Sequence, residues 1–339
     1  MLLHFKHADR SAFTPLLICP EQGEVSRQAE LLGIETLFFS WPPVCPLRFI
    51  LAARRLRAIC ARNQVKIIHA DTLELGVLAG LAAMFSPIKT VFHARVGDSG
   101  GLWDKIIPFF SDRIICVSRA AARRFPNSGK VRVIYNGVEK AEAPLPEETA
   151  RLRRALGLAP ENVVIGYCGQ LVEGKGLPTL LRAFALLKSK YQQARLLISG
   201  RGTDAELKAL ASELGIGRET IFSGFQTEHF AVRACIDIFT LPGTLAEGLP
   251  RSILEGMALG RPAVLTPCGG SAETIIDGES GFFAPPTDHS ALAEKLGLLL
   301  EDAALRQRMG EAAKKRMLEF FEINKATRAI ETAYKELAS

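Results

Sequence analysis

The segment Glu247-Gly248-Leu249-Pro250-Arg251-Ser252-Ile253-Leu254-Glu255 sets two carboxylates around a Gly-Leu-Pro turn. It follows a strand-like run, Ile236–Leu241, after a short loop containing Gly243. Pro250 fits the first turn of a helix, where its missing N–H is not needed. The N–H groups around Gly248 and Leu249 are then expected at a helix N-terminus, which attracts phosphate. Glu247 stands just before that end, able to accept sugar hydroxyls. Glu255 stands about a turn and a half into the helix, placed for a ribose diol. A helix end flanked in this way can hold a nucleotide sugar, although the spacing alone equally fits two surface glutamates.

A second segment, Gly169-Gln170-Leu171-Val172-Glu173-Gly174-Lys175-Gly176, comes directly after the strand-like run Val163–Cys168. Its glycines let backbone approach a ligand closely, and Lys175 falls where a helix should begin. A lysine there can neutralise a diphosphate and stabilise it as a leaving group. No Gly-Lys-Ser/Thr closes the loop, so it is not a P-loop. Ser199-Gly200-Arg201-Gly202 and Thr266-Pro267-Cys268-Gly269-Gly270, followed by Glu273, again sit just past strand ends. Four glycine-bearing turns are thus expected at one edge of one sheet, where open α/β sheets bind their ligands. No strand-bounded Asp-x-Asp pair offers a divalent-metal site.

Positioning these turns requires strands alternating with helices. In the first half, Pro15–Cys19, Glu35–Phe39, Lys66–Ala70, Thr90–Ala94, Arg113–Val117 and Val131–Tyr135 read as strands, with helix-like runs such as Pro46–Arg62 and Leu73–Phe85 between. After the turn Asn136-Gly137-Val138 and the linker-like Ala143-Pro144-Leu145-Pro146, a second series runs through Val163–Cys168, Arg195–Ser199, Thr220–Ser223, Ile236–Leu241 and Ala263–Thr266. The β-α-β-α order means parallel strands with right-handed crossovers. The fold class expected is α/β, two doubly wound Rossmann-like domains facing a cleft. Residues 1–142 form one, 143–320 the other, and 321–339 a closing helix packing back toward the first. Met1 to Phe13 contains neither an apolar strand nor a glycine, so the first domain is expected to lack the usual opening strand and its Gly-rich loop.

Composition narrows the class. The chain has 339 residues, 48% hydrophobic and 23% charged, enough for two cores. Its longest apolar run, near Leu75 to Phe85, is too short to span a bilayer, and the first ten residues lack a signal-peptide apolar block. A cytoplasmic protein is expected. The cysteines, 7 in number, have no metal-ligand spacing and read as reduced core thiols. Charge is uneven: residues 1–145 hold 19 Lys/Arg and 12 Asp/Glu, the remainder 23 and 24. Arg48, Arg54, Arg55, Arg57, Arg62 and Lys66 supply much of the excess. They fit a solvated helix face, or a patch for an anionic membrane or acceptor. Aromatic residues are not interleaved with them, which argues against nucleic acid.

Together these motifs resemble glycosyltransferase family 4, the retaining GT-B enzymes with a Glu-x7-Glu motif, here Glu247 to Glu255. The likeness extends through Gly169–Gly176, Phe222-Ser223-Gly224-Phe225, Gly269-Gly270 with Glu273, and Asp277-Gly278-Glu279-Ser280-Gly281-Phe282. It also reaches back to Val133-Ile134-Tyr135-Asn136-Gly137-Val138. The resemblance implies metal-independent sugar transfer from a nucleotide-diphosphate sugar, of UDP or GDP type, with no cofactor. It implies that Lys175 contacts the donor diphosphate, Glu247 the transferred sugar and Glu255 the ribose, with Phe225 among the donor-binding residues. His93, at the end of a strand, resembles the family's histidine facing the transferred sugar, with Arg95 beside it. Gln170 stands where the family usually has Arg, and Arg201 is the candidate to compensate. The acceptor expected is a lipid-linked or cell-surface saccharide, as in lipopolysaccharide or polysaccharide synthesis. A non-catalytic sugar-nucleotide-binding protein and a nucleotide-sugar epimerase are the alternatives.

Overall fold

The computed structural model describes residues 1–41, 46–97, 100–140, 145–225 and 229–338. Cys45 and residues 143–144 of the expected linker lie outside them. The chain divides into two compact units, residues 1–137 with 323–339, and residues 138–322. No helix among the described residues is long and apolar enough to cross a membrane.

In the first unit α1 (Leu2–His7) precedes β1 (Leu16–Cys19), α2 (Glu24–Leu31), β2 (Glu35–Phe38), α3 (Pro46–Arg62) and β3 (Ile67–Ala70). Then come α4 (Leu73–Ala83), β4 (Lys89–Ala94), α5 (Leu102–Phe110), β5 (Arg113–Cys116), α6 (Arg119–Ala122) and β6 (Val131–Val133). Every pairing is parallel, but the strands form two sheets, β1-β2 and β3-β4-β5-β6. The single sheet expected in this half is therefore found in two pieces. β1 and β3 each keep one edge without a ladder partner among the described residues. One apolar core holds the pieces together. Ile18 of β1 and Ile68 of β3 pack against the buried Phe49, Leu78, Phe92 and Ile107. Burying a side chain of this size stabilises by about 2 kcal/mol, which offsets part of the lost ladder.

Helix ends are satisfied locally. Ser118 caps α6 by accepting from the Ala121 amide at 3.0 Å, and Thr72 caps α4 by accepting from Leu75. At the other end of α4 the donor is Arg57. It donates to the carbonyls of Ala82 at 2.7 Å and Leu81 at 3.2 Å, and to that of Met84. Arg57 therefore does not join the surface patch expected from the sequence. α4 is buried along most of its length, and Arg57 satisfies carbonyls that the helix leaves unpaired at its end. Arg48, Arg54, Arg55, Arg62 and Lys66 do remain exposed.

The second unit contains α7 (Pro146–Ala155), β7 (Val163–Cys168), α8 (Leu177–Lys188), β8 (Ala194–Ser199), α9 (Ala205–Glu213) and β9 (Thr220–Gly224). It continues with α10 (His229–Ala234), β10 (Ile238–Leu241), α11 (Arg251–Ala258), β11 (Ala263–Leu265), a 3-10 turn at Gly270–Glu273 and β12 (Gly281–Phe283). Helices α12 (His289–Glu301) and α13 (Ala303–Phe320) close it, and α14 (Ile323–Ala338) belongs to the first unit. The sheet order is β12-β11-β10-β7-β8-β9, all parallel. β7, β8, β10 and β11 are buried along nearly all their length, as strands covered on both faces are, whereas the edge strand β9 is only partly buried. Order reverses at β7, with β8 on one side and β10 on the other. That is the switch point where doubly wound sheets form ligand crevices. β10 starts two residues later than its apolar run, since the Ile236 amide is used in a turn, bonded to the Arg233 carbonyl at 3.1 Å.

Candidate active site

The loops leaving the carboxyl ends of the second sheet are bonded to one another. Leu171 N donates to Arg201 O at 2.7 Å, joining the turns after β7 and β8. Thr244 N donates to Gly174 O at 2.8 Å, joining those after β7 and β10. Gly270 N donates to Glu247 O at 2.7 Å, adding the turn after β11. Gly200 N donates to Gly224 O at 3.1 Å, adding the end of β9. Two glycines make the close approaches possible. A Cβ on Gly176, whose φ is +72°, would lie 1.9 Å from the Pro242 carbonyl oxygen. One on Gly200 would lie 1.6 Å from that of Gly169. No side chain fits at either position.

This rim surrounds a recess of about 370 Å³ lined by Cys168, Gly169, Gln170, Ser199, Gly200, Arg201, Phe225, Arg233 and Ser252. Of the donor-binding residues expected from the sequence, it gathers Gly169, Gln170, Arg201 and Phe225. The Arg201 guanidinium stacks on the Phe225 ring at 3.9 Å from its centroid. The pair makes a flat cationic wall, able to face a planar base or a phosphate. Glu255 does not line the recess; it is held by Arg233, which does, at 3.0 Å and by Arg251 at 3.4 Å. Burial beside this pair pushes the Cys168 thiol up to about 12, so it stays protonated.

Lys175 and Glu247 meet directly, Nζ donating to Oε1. Their side chains are 17% and 21% exposed, which leaves both open to a further partner. Neither lines the recess. The placement follows from the Gly174–Thr244 bond, which draws the turn after β7 against the loop after β10.

Pro250 departs from its expected place. It stands at the N-cap of α11 in an extended conformation, with ψ 106°, and the helix begins at Arg251. The first intrahelical amide is that of Ile253, bonded to Pro250 O at 3.2 Å. The amides offered at the helix end are therefore those of Arg251 and Ser252, not those of Gly248 and Leu249. Gly248 and Leu249 are buried, and Leu249 packs in the apolar core.

His93 belongs to the first unit, on β4, and is 1% exposed. Its Nδ1 lies 3.0 Å from His69 Nε2, and His69 Nδ1 is hydrogen-bonded to the Tyr334 hydroxyl of α14. Its Nε2 is buried with no partner among the described residues. Burial holds both imidazoles well below their usual value, and the Arg95 guanidinium adds to the effect. Both rings are therefore neutral at physiological pH. Arg95 pairs with Asp71 at 3.3 Å.

Arg233, Ser252, His69 and Tyr334 were not singled out from the sequence. The register explains His69: it faces Val91 across the β3–β4 ladder, which puts it on the same sheet face as His93. Tyr334 shares an α14 stripe with Ile330 and Leu337, which pack on that face. A larger recess, of about 480 Å³, is lined by α7 and the ends of α10 and α11, and holds none of the expected residues. Among the described residues no group of three or more His, Cys, Asp or Glu could hold a metal ion.

Comparison with known proteins identifies the family. Residues 5–142 match the family described as Glycosyltransferase Family 4, and residues 148–316 match Glycosyl transferases group 1. The GDP-mannose-dependent alpha-(1-6)-phosphatidylinositol monomannoside mannosyltransferase of Mycolicibacterium smegmatis is 30% identical over 315 residues, 88% of this chain and 76% of that protein. Glycosyltransferase EpsD of Bacillus subtilis is 28% identical over 291 residues, 79% of this chain and 76% of its own. Among solved structures, Anabaena HepE in complex with UDP and glucose superposes with a TM-score of 0.85 at 21% identity, covering 98% of this chain and 95% of that one. Sequence motifs, sheet order and relatives converge, and the chain belongs to glycosyltransferase family 4, with the GT-B fold.

Proposed function

We propose that this glycosyltransferase moves a hexose from a nucleotide-diphosphate sugar to a saccharide acceptor with retention of configuration. The observation that carries the reading is the bonded rim of the second unit, where Arg201 and Arg233 line one recess, Glu255 is ion-paired to Arg233, and Lys175 meets Glu247. Glu255 is assigned the ribose diol and Glu247 the transferred sugar. Lys175, Arg201 and the first-turn amides of α11 are assigned the diphosphate.

In the step proposed, an acceptor hydroxyl attacks the anomeric carbon from the face that the diphosphate leaves. The C–O bond to the diphosphate breaks, and the hydroxyl proton passes to a departing phosphate oxygen. No covalent enzyme intermediate and no protein base are required. The protein's part is to hold charge, each well-placed donor supplying roughly 3 to 4 kcal/mol. Charge held by cationic side chains and amides leaves no necessary role for a metal, so turnover should persist in chelator. From the first unit, His93 is assigned to a hydroxyl of the transferred sugar.

The donor is a UDP or GDP sugar, since HepE was crystallised with UDP and the mycobacterial relative is GDP-mannose-dependent. The acceptor is a lipid-linked or cell-surface saccharide, in keeping with the phosphatidylinositol monomannoside named for that relative. We place the reaction at the cytoplasmic face of a membrane, reached through the exposed Arg54 and Arg55. Unchanged sedimentation with anionic vesicles after neutralising both would remove the membrane from the proposal.

The deciding test is thermal stabilisation by UDP, GDP, ADP and CMP, beside Glu255→Ala. A shift with one nucleotide, lost in the variant, is expected, followed by turnover with that nucleotide's sugars. No shift with any of them would overturn the reading. Gln170 favours a second one, a sugar-nucleotide-binding protein without catalysis, because it removes a cation from the diphosphate site. Stabilisation without turnover across candidate acceptors would select it.

A further inference from the structure

We infer that Tyr334 and His69 are positioning residues that fix His93 in one tautomer, so that its buried Nε2 carries a proton and acts as a hydrogen-bond donor. The inference rests on the proposed contact between His93 and the transferred sugar for its functional meaning, but its geometry stands apart from that contact.

Three side chains form a line: the Tyr334 hydroxyl on His69 Nδ1, and His69 Nε2 on His93 Nδ1 at 3.0 Å. Each ring is neutral, and a neutral imidazole has one donor nitrogen and one acceptor. Only two arrangements satisfy both bonds. In one, the protons sit on both Nε2 atoms, and the hydroxyl donates to His69. In the other, they sit on both Nδ1 atoms, and the hydroxyl accepts. The Tyr334 hydroxyl has no hydrogen-bond partner but His69 among the described residues. In the second arrangement its proton would be left without an acceptor, which costs about 1–3 kcal/mol for a desolvated donor. The first arrangement leaves only the N–H at His93 Nε2 without a protein partner, whereas the second leaves both the hydroxyl proton and the Nε2 lone pair unpaired.

The other titratable or charged groups near the pair reinforce neutrality. Arg95, paired with Asp71 at 3.3 Å, disfavours an imidazolium on either ring. His4 on α1 is bonded to Thr327 Oγ1 at 3.1 Å and acts in the same direction. Burial pushes the Tyr334 phenol up, so it keeps the proton it donates. The chemistry served is recognition of an oxygen that accepts, such as a sugar hydroxyl, and rejection of a group in that place that can only donate. The helix that carries Tyr334 is reached only after the whole second unit, so the chain's last segment sets the proton on a strand near its start.

The test is made on the full chain labelled with 15N-histidine, reading each ring's tautomer from nitrogen shifts and long-range couplings. Wild type should show His93 as neutral with the proton on Nε2 from about pH 6.5 to 8.5. Tyr334→Phe keeps the ring and its packing, and should turn that single tautomer into a mixture. His69→Leu should do the same, whereas His69→Gln, whose amide N–H can reach His93 Nδ1, should retain it. Turnover is expected to fall about tenfold in Tyr334→Phe, with nucleotide-induced stabilisation unchanged. A proton on Nδ1 of His93 in wild type, or a tautomer unmoved by both Tyr334→Phe and His69→Leu, overturns the inference. A tautomer that moves while turnover holds would support the relay and remove His93 from contact with the sugar, which separates the two failures.

Discussion

Lys175 and Glu247 are bonded directly through their charged ends, although 72 residues separate them along the chain. The ammonium compensates the carboxylate, and the carboxylate aims the ammonium. When a diphosphate supplies a second anion, the lysine is already in place and little reorganisation is needed. Lys175→Ala should therefore lower turnover at least about a hundredfold. Glu247→Gln should lower turnover too, while UDP or GDP stabilises the variant as it does wild type, since the assigned partner of Glu247 is the sugar. Initial rates with saturating donor, beside melting curves with and without nucleotide, check both. A near wild-type rate in Lys175→Ala would take it out of the mechanism.

Arg201 is stacked on Phe225 in the recess that Gln170 also lines. If it supplies the cation that Gln170 does not, Arg201→Ala should weaken nucleoside-diphosphate binding about tenfold or more, the worth of one charge-assisted bond. Arg201→Lys keeps charge without the planar stack. Recovery of most of the affinity in the lysine variant would assign Arg201 to phosphate, and no recovery would assign it to the base. Calorimetric titration with the diphosphate and with the bare nucleoside distinguishes the cases. Equal affinity in wild type and Arg201→Ala would leave the missing cation uncompensated.

Much of the second unit was legible because its strands are short apolar runs that end in glycine, and the same glycines let the loops approach one another. β12, Gly281–Phe283, passed unnoticed as a strand because three residues carry no periodicity. Pro250 was misplaced by one position, since a proline serves equally well just before a helix and in its first turn. The division of the first half into two sheets depends on pairing, which no single strand encodes. Arg233 was invisible for a related reason: only the docking of α10 against α11 brings it to Glu255. His69 and Tyr334 needed the register of β3 on β4 and the face of α14. Sequence separation alone, 265 residues, hides that contact.

Arg57 tests the difference between a basic patch and a basic cap. It donates to three carbonyls at the end of α4, whereas Arg54 and Arg55 are exposed. Arg57→Gln should cost about 1–2 kcal/mol, because part-buried carbonyls lose a charged donor. Arg54→Gln and Arg55→Gln should each stay within about 0.5 kcal/mol of wild type. Urea midpoints at a common slope measure this. A silent Arg57→Gln would return Arg57 to the surface patch.

The neutral histidine pair should make stability depend on pH below the ordinary imidazole range. Burial depresses the folded-state values of His69 and His93 below 6.5, with Arg95 adding to it. In the unfolded chain both rings take up protons as pH falls through about 6.5, while in the folded chain they do not. The unfolded state then binds more protons, so stability falls with falling pH. The contribution is complete above about pH 6.5 and is lost as pH drops toward the depressed folded values. Its limiting slope is about 1.4 kcal/mol per pH unit for each histidine. Asp9 and Glu301, whose carboxyls are held below their usual values by hydrogen bonds from Ser11 and from Lys190, add losses of the same sign only below about pH 4. Urea unfolding from pH 7.5 to 5 should show the fall in wild type and a shallower one in His69→Gln, where one titrating ring is gone. Equal slopes in the two proteins would mean that His69 is protonated in the folded chain, and the neutral relay to His93 would then have no basis.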